Sequence, residues 1–105
     1  MLNEHTQLKE RIAAIKAQLL EVGDMRPGSL SQQFKNPKEK QGAFWQLNCT
    51  FGGKTSTEYV RPDSLESVRA ELQEYLRFRT LVDQWIEASI QLSRVQKRRV
   101  KTSSG

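Results

Sequence analysis

Cys49 and His5 are the pair from which nucleophilic chemistry would have to be built, since the 105-residue chain holds one cysteine and one histidine. A thiolate activated by an imidazole is a workable nucleophile. Cys49, however, stands in the run Trp45-Gln46-Leu47-Asn48-Cys49-Thr50-Phe51, where apolar and polar residues alternate. That alternation is the period of a half-buried strand, and a cysteine on its apolar face acts as a small hydrophobe. A lone cysteine excludes an intrachain disulfide and a cysteine zinc site. There is no Gly-rich phosphate loop, no paired histidines and no Gly-x-Ser-x-Gly elbow. The expectation is a protein that is not an enzyme and carries no metal and no cofactor.

The chemistry left is that of charge. The chain has 17 Lys and Arg against 12 Asp and Glu, a net charge of +5, and the excess is segregated. Residues 25–62 carry Arg26, Lys35, Lys38, Lys40, Lys54 and Arg61 against Glu39 and Glu58. Residues 94–105 carry Arg94, Lys97, Arg98, Arg99 and Lys101 with no acid. Between them, residues 63–93 hold three arginines against six acids. Two basic segments therefore flank an acidic helix. Basic segments attract polyanions because each phosphate they neutralise releases counterions. Lys54, Thr55, Ser56 and Thr57 add a cation and hydroxyls at what reads as a hairpin tip, suited to phosphates or base edges.

These groups need a scaffold. At 105 residues with 36% hydrophobic residues, one domain (1–105) with a modest core is expected. No apolar run is long enough to span a bilayer, and the charged N-terminus lacks a signal-peptide core, so cytoplasm is the expected compartment. Leu8, Ile12, Ile15, Leu19 and Val22 recur every four or three residues, which predicts a helix over 4–22 with a coiled-coil stripe. Thr6 is placed to cap it and Gly23 to end it. Residues 23–43 are rich in Gly, Pro, Asn and Ser and read as a loop, with Ser29 capping one helical turn toward Gln32.

Residues 44–61 read as a β-hairpin around Gly52-Gly53. A two-residue turn pairs Phe51 with Lys54 and leaves Tyr59 on the polar face. A three-residue loop, Gly52-Gly53-Lys54, pairs Leu47 with Tyr59 and buries both, which favours it on burial grounds. Gln46, Asn48, Thr50 and Ser56 then face outward, free for polar contacts. Pro62-Asp63-Ser64 opens a helix over 64–99 that contains no Gly or Pro, followed by a polar tail, 100–105. Leu72, Tyr75, Val82 and Ile86 follow helical spacing on it. At about 50 Å it is too long for one short helix and a hairpin to cover, which predicts coiled-coil pairing with a second copy. The fold class is mainly α with a β-hairpin (α+β): N-terminal helix, hairpin, long C-terminal helix, coiled-coil-like helix packing.

Several segments together resemble a known family. Met25-Arg-Pro-Gly-Ser-Leu-Ser-Gln-Gln-Phe34, Gly42-Ala-Phe-Trp-Gln-Leu47, Gly53-Lys-Thr-Ser-Thr-Glu-Tyr-Val-Arg61, Tyr75-Leu-Arg-Phe-Arg79 and Asp83-Gln-Trp-Ile86 are similar to short uncharacterised bacterial proteins often encoded beside transposases. The resemblance covers residues 8–95. Many relatives carry a cysteine-rich insert before the hairpin, suggestive of a metal knuckle, where this chain has Lys35-Asn-Pro-Lys-Glu-Lys-Gln41. The resemblance implies a mobile-element setting, with DNA or a DNA-bound transposase nearby, and no zinc. The hairpin is also similar to strand pairs that some recombinase amino-terminal domains lay into a DNA groove.

The expected function is a non-enzymatic DNA-binding accessory or regulatory protein of a mobile genetic element, dimeric through the long helix. The expected partners are double-stranded DNA, a second copy and a transposase or related enzyme. The rival is an adaptor or coiled-coil subunit that docks on a protein partner without touching nucleic acid.

Overall fold

The computed structural model describes the backbone of residues 3–104 and the side chains of residues 3–98. Element order is α1 (Glu4–Leu20), β1 (Ser29–Asn36), β2 (Gln41–Phe51), β3 (Lys54–Val60), a short 3-10 turn (Pro62–Ser64) and α2 (Leu65–Ser104). The architecture is α+β, with one helix before and one after a three-stranded antiparallel sheet of order β1-β2-β3. Two compact units form: α1 with the later part of α2 from Arg77, and residues 23–76.

The first unit is an antiparallel pair of helices. α1 starts where Asn3 accepts a hydrogen bond from the Thr6 amide at 2.8 Å. Asn3 is therefore the cap, and Thr6 supplies only the backbone donor, because an Asn side chain one step before the first turn reaches the orphan amides directly. Leu8, Ile12 and Ile15 are buried and Leu19 is half-buried, as the heptad spacing requires. Leu81, Trp85, Ala88, Leu92 and Val95 of α2 follow the same alternation of four and three residues. Ala88, fully buried, and Val95 join Leu8 and Ile12 in one apolar cluster, with Trp85 and Leu92 against it. The antiparallel direction shows at both ends, where Arg98 meets Glu4 at 3.3 Å and Arg77 meets Glu21 at 3.6 Å. Lys16 lies over the Trp85 ring, 5.1 Å from its centroid. The narrow stripe on α1 thus finds a helical partner within its own chain.

The second unit is built on the sheet. The stretch 23–43, expected as a loop, holds β1 and the start of β2. Ser29 is the first residue of a strand, and no helical turn forms over Ser29–Gln33. The reason is register: Leu30 pairs with Leu47 and Phe34 with Ala43, so the two apolar side chains of β1 fall on the apolar face of β2. The connection of β1 to β2 is Pro37–Lys40, with Lys40 in the left-handed region at φ 53°. β2 pairs with β3 through a two-residue turn that sets Phe51 opposite Lys54 and Gln46 opposite Tyr59. The three-residue loop favoured by burial does not form. Gly52 and Gly53 both have positive φ, 62° and 77°, which is the primed turn whose twist suits a hairpin. Turn geometry decides the register, and it moves Tyr59 to the polar face and Ser56 to the other.

The apolar face carries Leu30, Phe34, Trp45, Leu47 and Val60, with Leu47 only 1% exposed. Cys49 is half-buried on the same face. The first turns of α2 close over this side, because the Arg69 guanidinium covers the Trp45 ring at 5.1 Å. The Arg26 amide donates to the Glu71 carbonyl at 3.1 Å, and the Gly23 amide to Glu74 Oε2 at 2.9 Å. Leu72 and Tyr75 are half-buried here. Gly28 passes so close to β2 that a Cβ there would lie 2.8 Å from the Asn48 carbonyl oxygen. α2 continues through residues 100–104, where the helix was expected to end at 99 and give way to a polar tail, since neither Gly nor Pro interrupts it before residue 105.

Candidate nucleic-acid interface

Strand alternation places Ser29, Ser31, Gln33 and Lys35 of β1 on the polar face of the sheet. Phe44, Gln46, Asn48 and Thr50 of β2 join them, with Thr55, Thr57 and Tyr59 of β3. Every side chain on this face is an amide, a hydroxyl, an aromatic ring or a lysine. It bears no carboxylate, because Glu58 pairs opposite Leu47 on the apolar side. A surface built this way presents donors, acceptors and stacking rings without repelling phosphate.

The polar groups are held in place by one another. Thr57 Oγ1 donates to Asn48 Oδ1 at 3.1 Å, and Asn48 Nδ2 donates to Ser31 Oγ at 3.0 Å. Gln33 Nε2 also donates to Ser31 Oγ, at 3.2 Å, so this row links all three strands. Thr50 and Thr55 share a hydroxyl hydrogen bond of 3.0 Å nearer the turn. At the other end Phe44 and Tyr59 meet with centroids 6.4 Å apart and planes tilted by 44°. With Lys35, Gly42 and Ala43 they line a shallow cavity of about 430 Å³. Tyr59 is 62% exposed, so much of its ring faces solvent. A fixed amide row offers pre-oriented base-edge partners, and the exposed Tyr59 ring offers stacking surface.

The candidate cations fall into distinct settings. Lys35, Lys38 and Lys40 surround the β1–β2 turn, all exposed, at the Phe44 end of the polar face. Lys54 and Ser56 lie on the opposite face from Thr55 and Thr57, so the hairpin tip splits between the two sides. Arg61 follows β3, exposed, with a loose contact of 3.8 Å to Asp63. Arg26 is paired with Glu58 across the apolar side, half-buried, and serves as structural support. The hydrogen bond to Arg26 holds the Glu58 carboxyl below the usual carboxylate range, and the same bond raises Arg26.

Of the C-terminal cations, Arg94 and Lys97 are exposed and rim an apolar groove on α2, while Arg98 meets Glu4. The side chains of Arg99 and Lys101 lie outside the described residues. Among the packing residues, Val82 and Ile86 line that groove rather than the seam with α1. Sequence reasoning missed the contribution of β1 to the polar face, Ser31, Gln33 and the sheet setting of Lys35. The signal was Leu30 and Phe34 flanking polar residues just before a Pro-Lys-Glu-Lys turn.

Among the described residues no group of three or more His, Cys, Asp or Glu is placed to hold a metal. No described helix is long and apolar enough to cross a membrane. Compared with family models, curated proteins and solved structures, the chain matches none of them.

Proposed function

We propose that this protein is a non-enzymatic DNA-binding accessory or regulatory protein, and that the polar face of its three-stranded sheet is the surface that meets the duplex. The observation that carries the reading is the composition of that face: amides and hydroxyls in one hydrogen-bonded row, the exposed Tyr59 ring beside a half-buried Phe44, Lys35, and no carboxylate. A β-ribbon or small sheet fits the width of the major groove, where Asn and Gln side chains pair with adenine edges. Lys35, Lys38 and Lys40 supply backbone contacts at one end of the sheet, and the basic end of α2 supplies a second phosphate-binding segment. The sheet face, in place of the hairpin tip, is then the centre of contact.

In this reading the protein works in the cytoplasm as a homodimer. Its setting in a mobile genetic element, beside a transposase, rests on the resemblance of the Pro-Gly-Ser-Leu, Gly-Lys-Thr and Arg-Phe-Arg segments alone. A second reading has its own support. The exposed apolar groove on α2 suits a protein partner, as an adaptor or coiled-coil subunit would require. Mass in solution, with and without a short duplex at low and moderate salt, separates the two. The DNA reading expects a complex at low salt that dissociates steeply as salt rises. Absence of any complex at low salt overturns it and leaves the adaptor.

A further inference from the structure

Once α1 has covered Leu81, Trp85, Ala88, Leu92 and Val95, α2 still carries an apolar strip on another side. Val82, Ile86, Ile90 and the small Ser89 and Ser93 form a groove of about 520 Å³ on it. Ile86 is 52% exposed and Ile90 47% exposed, unusual for two isoleucines a turn apart on one helix. Serines beside them leave room for side chains of an opposing helix.

The edge of this strip is charged in a polar order. Asp83, Glu87, Ile90 and Arg94 are spaced by four, three and four residues, so they share one edge of the helix, with Lys97 a further turn along. Acids stand at one end of the groove and bases at the other. All four charged side chains are exposed, and none makes an ion pair among the described residues. When two copies of such a helix pack antiparallel, like edges face each other with their ends exchanged. Asp83 and Glu87 of one copy then oppose Arg94 and Lys97 of the other, twice over. Parallel packing would bring this edge against the Trp85 and Leu92 side, where α1 is already packed and Lys16 is the charge over Trp85, so the acid-to-base order along the edge would meet no complementary order.

We infer that the Val82–Ile90 groove of α2 binds the same groove of a second copy, antiparallel, with Asp83 and Glu87 meeting Arg94 and Lys97 across a two-fold axis. This deepens the homodimer reading given above and rests on it. It does not depend on DNA binding, so failure of a duplex to bind leaves the dimer testable.

The test uses two charge-reversed full-length chains. D83K/E87K makes the edge wholly basic, and R94E/K97E makes it wholly acidic. All four positions are solvent-exposed, and helical circular dichroism confirms that each variant keeps its fold. Sedimentation equilibrium at micromolar concentration is expected to show a wild-type dimer, each variant alone as a monomer, and an equimolar mixture as a heterodimer. A wild-type chain that stays monomeric overturns the proposal. So do variants that remain dimeric alone, which would indicate another interface or parallel packing. A mixture that stays monomeric overturns the charge pairing. An I86E chain, if still dimeric, excludes the groove itself.

Discussion

Thr57 donates its hydroxyl hydrogen to Asn48 Oδ1 at 3.1 Å across the β2–β3 pair, and that bond fixes which way the Asn48 amide is turned. With Oδ1 engaged by β3 and Nδ2 by Ser31 of β1, the amide is tied to both neighbouring strands, and its oxygen and nitrogen each keep capacity for a further hydrogen bond. A side chain already oriented loses little entropy when it meets a base edge. The sheet thus meets DNA, in the reading proposed above, as a preformed surface.

Replacement of Asn48 by Ala should lower discrimination between duplex sequences more than it lowers general duplex affinity. A single amide that pairs with a base edge contributes about 1–3 kcal/mol of discrimination. Competition with the preferred and a scrambled duplex measures it, and urea unfolding controls for the lost hydrogen bonds, which cost about 1 kcal/mol each.

Lys35→Glu and Lys38→Glu should act differently, weakening all duplexes alike. For each phosphate that is no longer neutralised, the slope of log affinity against log salt should fall by about 0.9. Lys40 adds a stability effect of opposite sign. Its φ of 53° is a left-handed conformation, so Lys40→Gly should stabilise the sheet by about 1 kcal/mol while weakening DNA binding. Chemical denaturation and the same salt titration separate the two outcomes.

The core tests are independent of function. Leu47 is 1% exposed at the centre of the sheet, and Leu47→Ala should cost about 2–5 kcal/mol. Ala88 is fully buried between the helices, and Ala88→Leu should cost about 1–3 kcal/mol by overpacking. Differential effects on amide exchange of β2 and of α1 would locate each destabilisation in its own unit.

Acid should weaken the sheet unit through Glu58. Its carboxyl pKa is lowered in the folded protein, chiefly by the hydrogen bond from Arg26. A lowered folded pKa means that the stabilisation is present above the unfolded carboxylate pKa and is lost as pH falls through the folded one. Glu58→Gln should therefore flatten the acid limb of stability against pH, with little change in shape near neutrality. Thermal unfolding of both chains from neutral to acid pH reads this directly.

The helices were legible because burial and spacing agree in them. Leu8, Ile12 and Ile15 recur at helical intervals and are buried as that interval requires. The excess of apolar positions on α2 was also visible, since it serves two sides: Leu81, Ala88 and Val95 toward α1, Val82, Ile86 and Ile90 away from it. Assigning each residue to its side needed the partner helix. The sheet was half legible. β2 announced itself by alternation, but β1 has only Leu30 and Phe34 as apolar markers and is specified by pairing with β2. Long-range pairing of that kind leaves little local trace. The hairpin register turned on whether two positive-φ glycines or the burial of Tyr59 prevailed. The glycines set a local geometry, and Tyr59 found Phe44 on the polar face instead.

The candidate site followed the same division. Gln46, Asn48 and Thr50 were recognisable as a polar strand face. Ser31, Gln33 and Lys35 joined them only once β1 existed, and Arg26 left the interface for Glu58.

Nitrogen-15 chemical-shift mapping of the full chain with a short duplex at low salt tests most directly whether the polar face is where DNA binds. If it is, the amide and side-chain signals of Ser31, Gln33, Gln46, Asn48, Thr57 and Tyr59 shift together. Signals of Leu30, Leu47 and Val60, on the reverse of the same strands, should stay in place. Shifts confined to the reverse face, or to α2 alone, would contradict it.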